Sequence, residues 1–259
     1  VTGATHSFSP VALPESSALT LHHLRGLISV DRGKMEATFY AGTYLYEMGP
    51  LLEQYGLAVL NMGDIDVQSL AGVISTGTHG TGITLGSFSS MVTKWTFVNG
   101  LGEVITHERG EDPLSEALHI SLGLLGILMT VTIRVIPLYS LHYVSSRENL
   151  FSSLLSFQHD IRDNRHLEWY YFPGSATIQV KKMNIIPPKY AKERDRIIEN
   201  LKLELIENQL FEMASKLCKL QPSFSHSVSK LSSKLITEGE KTEICYKVYP
   251  TQRRVKCNG

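Results

Sequence analysis

Four runs before Pro137, LISVD, MEATFYAG, KWTFVNG and MTVTIRVIP, alternate apolar and polar residues with the period of a strand that buries one face. Turn signals separate them at Gly33, Gly49-Pro50, Gly63-Asp64, Asn99-Gly100 and Gly102. TYLYEMGPLLEQYG carries apolar residues at helical spacing and ends on Gly56, which suits a helix C-cap. DPLSEALHISLG predicts another helix, with Asp112 as N-cap and Pro113 in its first position. This half of the chain reads as α+β.

Beyond Pro137 the texture changes. LYSLHYVSS is strand-like, FSSLLSFQHDIRDNRH is an amphipathic helix, and HLEWYYFPGSATIQVKKMN predicts two strands around a Pro173-Gly174 turn. From Pro187 to about Lys234 the pattern is charged and helical, most clearly in AKERDRIIENLKLELIENQLFEMASKLCKL, and KTEICYKVYP resumes strand alternation. No internal repeat is visible. The shift of texture places a boundary near 137–141, giving a loop-rich domain over 1–138 and an α+β domain over 139–259.

Composition narrows the function classes. A chain of 259 residues with 42% hydrophobic and 19% charged content is globular and long enough for a sizeable core. Its 25 basic and 25 acidic side chains cancel, so charge gives no reason to expect nucleic acid or an anionic membrane as partner. The most apolar run, Leu122 to Ile133, is too short to cross a bilayer and is broken by Gly123 and Gly126, so a buried strand or turn is expected there. Cys218, Cys245 and Cys257 have no metal-ligand spacing and read as reduced thiols of an intracellular protein, with cytoplasmic and membrane-associated locations both open.

The densest chemical signal is DIDVQSLAGVISTGTHGTGITLG, Asp64 to Gly86. Gly72, Gly77, Gly80, Gly82 and Gly86 alternate there with Ser69, Ser75, Thr76, Thr78, Thr81 and Thr84. Glycines let backbone amides approach a ligand and hydroxyls add donors, so the run suits the oxygens of a polyanion. It fits neither GxxxxGK[ST] nor the GxGxxG register, which disfavours a Walker NTPase or an ordinary dinucleotide fold. A pair of glycine turns between strands is the plainer alternative, but it leaves the hydroxyls unexplained.

The opening VTGATHSFSP holds a second small-residue loop, Gly3 to Ser7, whose nucleophile is His6. A lone histidine in a turn is more often solvated than catalytic, although a neutral imidazole can bond to an electrophilic cofactor carbon. His22, His23 and His119 lack ligand spacing and read as surface or helix residues, and Asp64 and Asp66 lack the further ligands a metal would need, so no metal site is expected. There is no GxSxG elbow.

Three segments together resemble the sugar-1,4-lactone oxidases, a branch of the vanillyl-alcohol-oxidase or PCMH-type FAD-binding superfamily that includes L-gulono-1,4-lactone, D-arabinono-1,4-lactone and alditol oxidases. They are TGATHSFSP (Thr2 to Pro10), GDIDVQSLAGVISTGTHGTG (Gly63 to Gly82) and LGLLGILMTVTI (Leu122 to Ile133), in the family's order; EWYYFP (Glu168 to Pro173) resembles its substrate-domain strand. The resemblance implies a PCMH-type FAD-binding domain, incomplete at its start, followed by part of an α+β cap domain. By carry-over Val1, Thr2, Gly3, Ala4, Thr5, His6 and Ser7 lie along the flavin and its pyrophosphate, with His6 as the covalent link to FAD. Ser69, Gly72, Gly77, Thr78, His79, Gly80, Thr81, Gly82, Ile83 and Thr84 line the isoalloxazine or pyrophosphate, Ser69 also faces substrate, and the backbone of Ile127 meets the flavin.

The implied reaction is hydride transfer from a carbinol carbon of a sugar lactone or polyol to flavin N5, with oxygen or another acceptor reoxidising the flavin. Family members begin before this loop and end beyond Gly259, where their substrate-contacting acid and base lie. The chain is therefore expected to be a piece truncated at both ends, and inactive by itself. Two other readings stand beside this one: a related flavoprotein oxidase with a different alcohol substrate, and a non-catalytic module whose late helical stretch serves a partner.

Overall fold

The computed structural model describes residues 1–7, 9–14, 16–190, 216–234 and 238–248. Backbone contacts divide the described residues into two compact units, one of Val1–Gly80 with Leu85–Leu138, the other of Thr81–Thr84 with the described residues between Tyr139 and Val248.

The first unit is built on a six-stranded antiparallel sheet. Its strands β1 (Leu27–Asp31), β2 (Glu36–Tyr40), β4 (Val92–Val98), β5 (Val104–Glu108) and β6 (Ile127–Pro137) lie in the order β1-β2-β6-β4-β5, and β3 (Leu57–Val59) also pairs with β6. Alternation fixes the register. Val131 of β6 lies opposite Phe39 on one side and Trp95 on the other, all three with 0% exposure. The next residue, Thr132, points to the other face and meets Thr38 hydroxyl to hydroxyl at 2.9 Å. Each large apolar side chain buried in this way contributes roughly 1.5–3 kcal/mol.

Helix α1 (Leu45–Glu53) buries Leu45, Met48 and Leu52, and Glu47 closes its first turn by accepting from Tyr44 N at 2.9 Å. Gly49-Pro50 is not a turn: Pro50 sits inside this helix, where burial of the apolar stripe outweighs the missing main-chain donor. Gly56 takes the left-handed conformation (φ +67°) just past the helix end. Asp112 caps α3 (Pro113–Ala117) by accepting from Ser115 N at 2.8 Å, as the sequence predicts, and a 3-10 turn, Leu118–Ile120, follows.

The second unit carries a four-stranded antiparallel sheet in the order β10-β7-β9-β8, from β7 (Ser140–Asn149), β8 (His166–Tyr171), β9 (Thr177–Ile186) and β10 (Gly239–Ile244). Helix α4 (Leu150–Asp163) starts at Asn149, whose Oδ1 accepts from Phe151 N and Ser152 N. It packs Phe157 edge-on to Trp169 of β8 at 5.1 Å, and Asp160 bridges to Lys182 of β9 at 2.7 Å. The Pro173-Gly174 turn joins β8 to β9, with Gly174 at φ +81°. KTEICYKVYP is a strand only as far as Ile244; Cys245–Val248 is a short helical turn. Of the late charged run, 191–215 lies outside the described residues, 216–220 is helical, and Ser225–Lys234 forms helix α5.

Candidate functional site

In the first unit, loops from three distant parts of the sequence meet in one cleft. The chain start is held by Thr2, which pairs in parallel with Thr20 and donates its amide to Leu19 O at 2.9 Å. Helix α2 (Leu70–Ser75) is fixed at its head by an antiparallel bridge between Tyr44 and Ser69 and by Ala71 N donating to Ala41 O at 2.7 Å. At its tail Ser75 O accepts from Leu122 N at 3.0 Å, which brings in the 122–128 loop.

Val1 to Ser7, Ser69, Gly72 and Ile127 all line this cleft. Gly3 lies so close to α2 that a Cβ there would stand 2.7 Å from Ser69 Oγ, so only glycine brings the two segments together without displacing the serine. Ser69 Oγ accepts from Gly72 N at 3.4 Å, which leaves its own hydrogen free to donate. Thr5 adopts φ +54°, a strained conformation for a β-branched residue. It turns the half-buried His6 so that its Nδ1 is buried with no hydrogen-bond partner among the described residues.

The described lining contains hydroxyls from Thr2, Thr5, Ser7, Thr20, Tyr44, Ser69, Ser75 and Thr76 but no carboxylate, lysine or arginine. Such a surface offers neutral donors and close-approaching backbone, which suits a phosphate-bearing ligand that is positioned by many weak bonds. Among the described lining residues, His6 Nδ1 is the buried side-chain atom without a partner, and a bound ligand can satisfy it.

The remaining predicted residues lie elsewhere. Gly77 (φ +68°) packs on Ile120. Thr78 donates its amide to Val73 O and accepts from Phe88 N, His79 bridges to Ser87, and Gly80 sits tight against Met62 O. Thr81, Gly82, Ile83 and Thr84 belong to the second unit, where Thr81 meets His166. Conversely the cleft recruits His22, Tyr44, Gln68, Gly123 and Gly126, which sequence reasoning passed over. His22 is exposed, as the sequence reading has it, and also faces the cleft, whereas Tyr44 and Gln68 enter only because the 44–69 bridge carries them there. His119 lies half-buried in the Leu118–Ile120 turn, edge-on to Trp95 at 4.9 Å with Nδ1 3.1 Å from Ser89 O, and burial lowers its pKa.

Comparison with known proteins assigns both parts. Residues 1–108 match the family model of the FAD binding domain, and residues 131–258 that of D-arabinono-1,4-lactone oxidase. Together the two matches support the sugar-1,4-lactone oxidase family for this chain. It is 29% identical over 256 residues to an L-gulono-1,4-lactone dehydrogenase of Mycobacterium tuberculosis, covering 98% of this chain and 58% of that protein. It is 28% identical over 181 residues to the mouse L-gulonolactone oxidase (70% of this chain, 41% of that one) and 36% identical over 144 residues to a D-arabinono-1,4-lactone oxidase of Kluyveromyces lactis (54% and 27%). The chain thus spans between about a quarter and three-fifths of these relatives. A crystal structure of cholesterol oxidase from B. sterolicum superposes with a TM-score of 0.74 at 19% identity, over 99% of this chain and 54% of that one, which establishes the PCMH-type fold. FAD is the cofactor this fold and the matched domain carry, and the glycine approach at Gly3, the hydroxyl lining and the unpartnered His6 nitrogen fit it.

Proposed function

We propose that the protein to which this chain belongs oxidises the CH-OH group of a sugar-1,4-lactone or related polyol, with FAD as hydride acceptor and oxygen or another acceptor reoxidising it. The observation that carries the reading is the cleft of the first unit, in an FAD-binding domain joined to a lactone-oxidase domain. Bound FAD supplies a two-electron acceptor; the residues of this chain hold and orient.

Val1 to Ser7 would lie along the flavin and its pyrophosphate, with the Thr5 and Ser7 hydroxyls and the backbone amides after Thr2 as donors, Thr2 itself being tied to Leu19 O. His6 would hold FAD covalently through Nδ1, the nitrogen left without a partner: the imidazole and the flavin methyl carbon it joins would each give up one hydrogen, and the electron pair would pass through the flavin ring to the acceptor that reoxidises it. Ser69, its lone pair engaged by Gly72 N, directs its proton to a substrate or cofactor oxygen. Proton removal from the carbinol falls to an acid and base pair beyond Gly259, as the family pattern implies.

The complete protein, precipitated in acid, is expected to keep its yellow colour on the polypeptide, and His6→Ala to release it. A colourless pellet from a yellow native preparation refutes the covalent link; a native preparation without flavin refutes the whole reading. A panel of gulono-, galactono- and arabinono-1,4-lactones beside xylitol, each with oxygen and with cytochrome c, separates substrate and acceptor classes. No turnover with any of them refutes the lactone and polyol assignment.

A further inference from the structure

Within the first unit, both walls of the cleft are fastened to one short segment, 41–44, between β2 and α1. Toward α2, Ala41 O accepts from Ala71 N at 2.7 Å and Thr43 O accepts from Leu70 N at 2.8 Å, which fixes the wall that carries Ser69 and Gly72. Toward the chain start, Gly42 N donates to Leu24 O at 3.0 Å, and a Cβ on Gly42 would run into Leu21 O, so the 20–26 loop lies directly against the segment. That loop supports the other wall. Thr20, Leu21 and His22 line the cleft, and Thr20 pairs with Thr2 at the start of the His6 loop.

Thr43 stands at the centre of this join. It has 0% exposure and lies behind its neighbours Gly42 and Tyr44, which line the cleft. Its hydroxyl donates its one hydrogen to Tyr40 O at 2.6 Å, the nearer of two carbonyls, Gly26 O being at 3.4 Å, and accepts from Gly26 N at 2.9 Å. Tyr40 O has a second donor in the Thr43 amide at 3.1 Å, whereas Gly26 N has, among the described residues, only this hydroxyl as acceptor. Valine would fill the same volume without burying a polar group, so packing alone does not account for threonine here. We propose that Thr43 is a positioning residue for the cofactor: by taking the Gly26 amide its hydroxyl clamps the 20–26 loop to the 41–44 segment and sets the spacing between the His6 loop and the Ser69 wall. The proposal rests on the reading above that FAD occupies this cleft. The Arg25–Glu47 pair on the same loop, 3.6 Å apart with side chains 37% and 25% exposed, is screened by solvent and holds the loop less firmly than the buried bond.

Hydrogen exchange on the complete protein tests the bond directly. Without any substitution the Gly26 amide is expected to be protected, although no helix or strand partner takes it; exchange at the rate of an open chain overturns the proposal whether or not any variant folds. Thr43→Val keeps the shape and removes the hydroxyl, and Thr43→Ser keeps the hydroxyl and removes a methyl group. Exchange at Gly26 is expected to quicken about tenfold in Thr43→Val, the effect of one buried donor left unpaired, and to stay within about twofold in Thr43→Ser. A space-filling role predicts the opposite order, and that order overturns the proposal. In a His6→Ala background, where FAD is not covalently held, FAD release followed by flavin fluorescence is expected to be about tenfold faster in Thr43→Val and within about twofold in Thr43→Ser. Ile133→Val trims the sheet core of the same unit and controls for lost stability; release is expected to stay within about twofold there as well. Equal release from Ile133→Val and Thr43→Val, or unchanged release from Thr43→Val with Gly26 exchange quickened, overturns the bearing on the cofactor. A complete protein that binds no flavin would instead defeat the cofactor reading, and the exchange results would still decide the clamp.

Discussion

Gly123 and Gly126 stand three residues apart in the same cleft loop, both with positive φ, and alanine at the two positions is expected to have different consequences. At Gly123 φ is +75° and a Cβ meets nothing within 4 Å, so Gly123→Ala should cost only the left-handed backbone penalty, about 1 kcal/mol. At Gly126 φ is +149°, outside the left-handed region open to alanine, and a Cβ would stand 2.8 Å from Phe97 Cδ2 and 3.1 Å from the Val98 carbonyl carbon. Phe97 and Val98 are paired on both sides, to β5 and to β6, so neither can withdraw. Strain and overpacking together should bring Gly126→Ala to about 3 kcal/mol. A gap of about 2 kcal/mol corresponds to a midpoint lower by about 4–8 °C. Two units need not unfold together, so the assay must follow the first one alone. The chain has 2 tryptophans, Trp95 in the first unit and Trp169 in the second, and urea unfolding followed by fluorescence in a Trp169→Phe background isolates Trp95. Equal losses at Gly123 and Gly126 would refute the argument that space, beyond backbone angle, makes glycine necessary at the cleft.

Two further predictions concern stability. Burial alone would raise the Asp160 carboxyl, but the hydrogen bonds from Lys182 and Ser156 outweigh it and hold the pKa below the ordinary 3.8. A lowered carboxylate stabilises above the unfolded value and ceases to do so as pH falls through the folded one. Asp160→Asn should therefore lose roughly 1–3 kcal/mol at pH 7, with the deficit vanishing in acid; a deficit that persists at low pH would show that the ion pair is not its source. Pro50→Ala restores the main-chain donor inside α1 and should raise stability by about 2 kcal/mol after the greater freedom of the unfolded chain is allowed for, measured by the same Trp95 unfolding.

Much of the fold was legible because alternation is a local signal. LISVD, MEATFYAG, KWTFVNG, MTVTIRVIP and LYSLHYVSS each coincide with or overlap an observed strand, and the Asp112-Pro113 start of α3 was readable from capping chemistry. The pattern failed where length or context decides. Leu57–Val59 is too short to show a period, Pro50 is overruled by the buried stripe of α1, and CYKV follows a strand without a break in alternation. At the site, motif similarity pointed to the N-terminal loop, Ser69, Gly72 and Ile127, which the structure gathers in one cleft. Tyr44 and Gln68 carry no local mark, because their place depends on a bridge between segments 25 residues apart in sequence, 69 less 44.

The bond between Thr81 and His166 spans 85 residues of chain, so the second unit is not a continuous stretch of sequence. During synthesis Thr81 to Thr84 emerge long before β8, and wait for a partner that the ribosome has yet to make. A piece cut to begin at Tyr139 would contain the whole four-stranded sheet and still lack Thr81, whose carbonyl lies 3.0 Å from Nδ1 of its buried histidine, so excision at the apparent boundary removes a bond from the interior. Successful dissection would need a graft of the four residues, or a permuted chain in which they follow the sheet they complete.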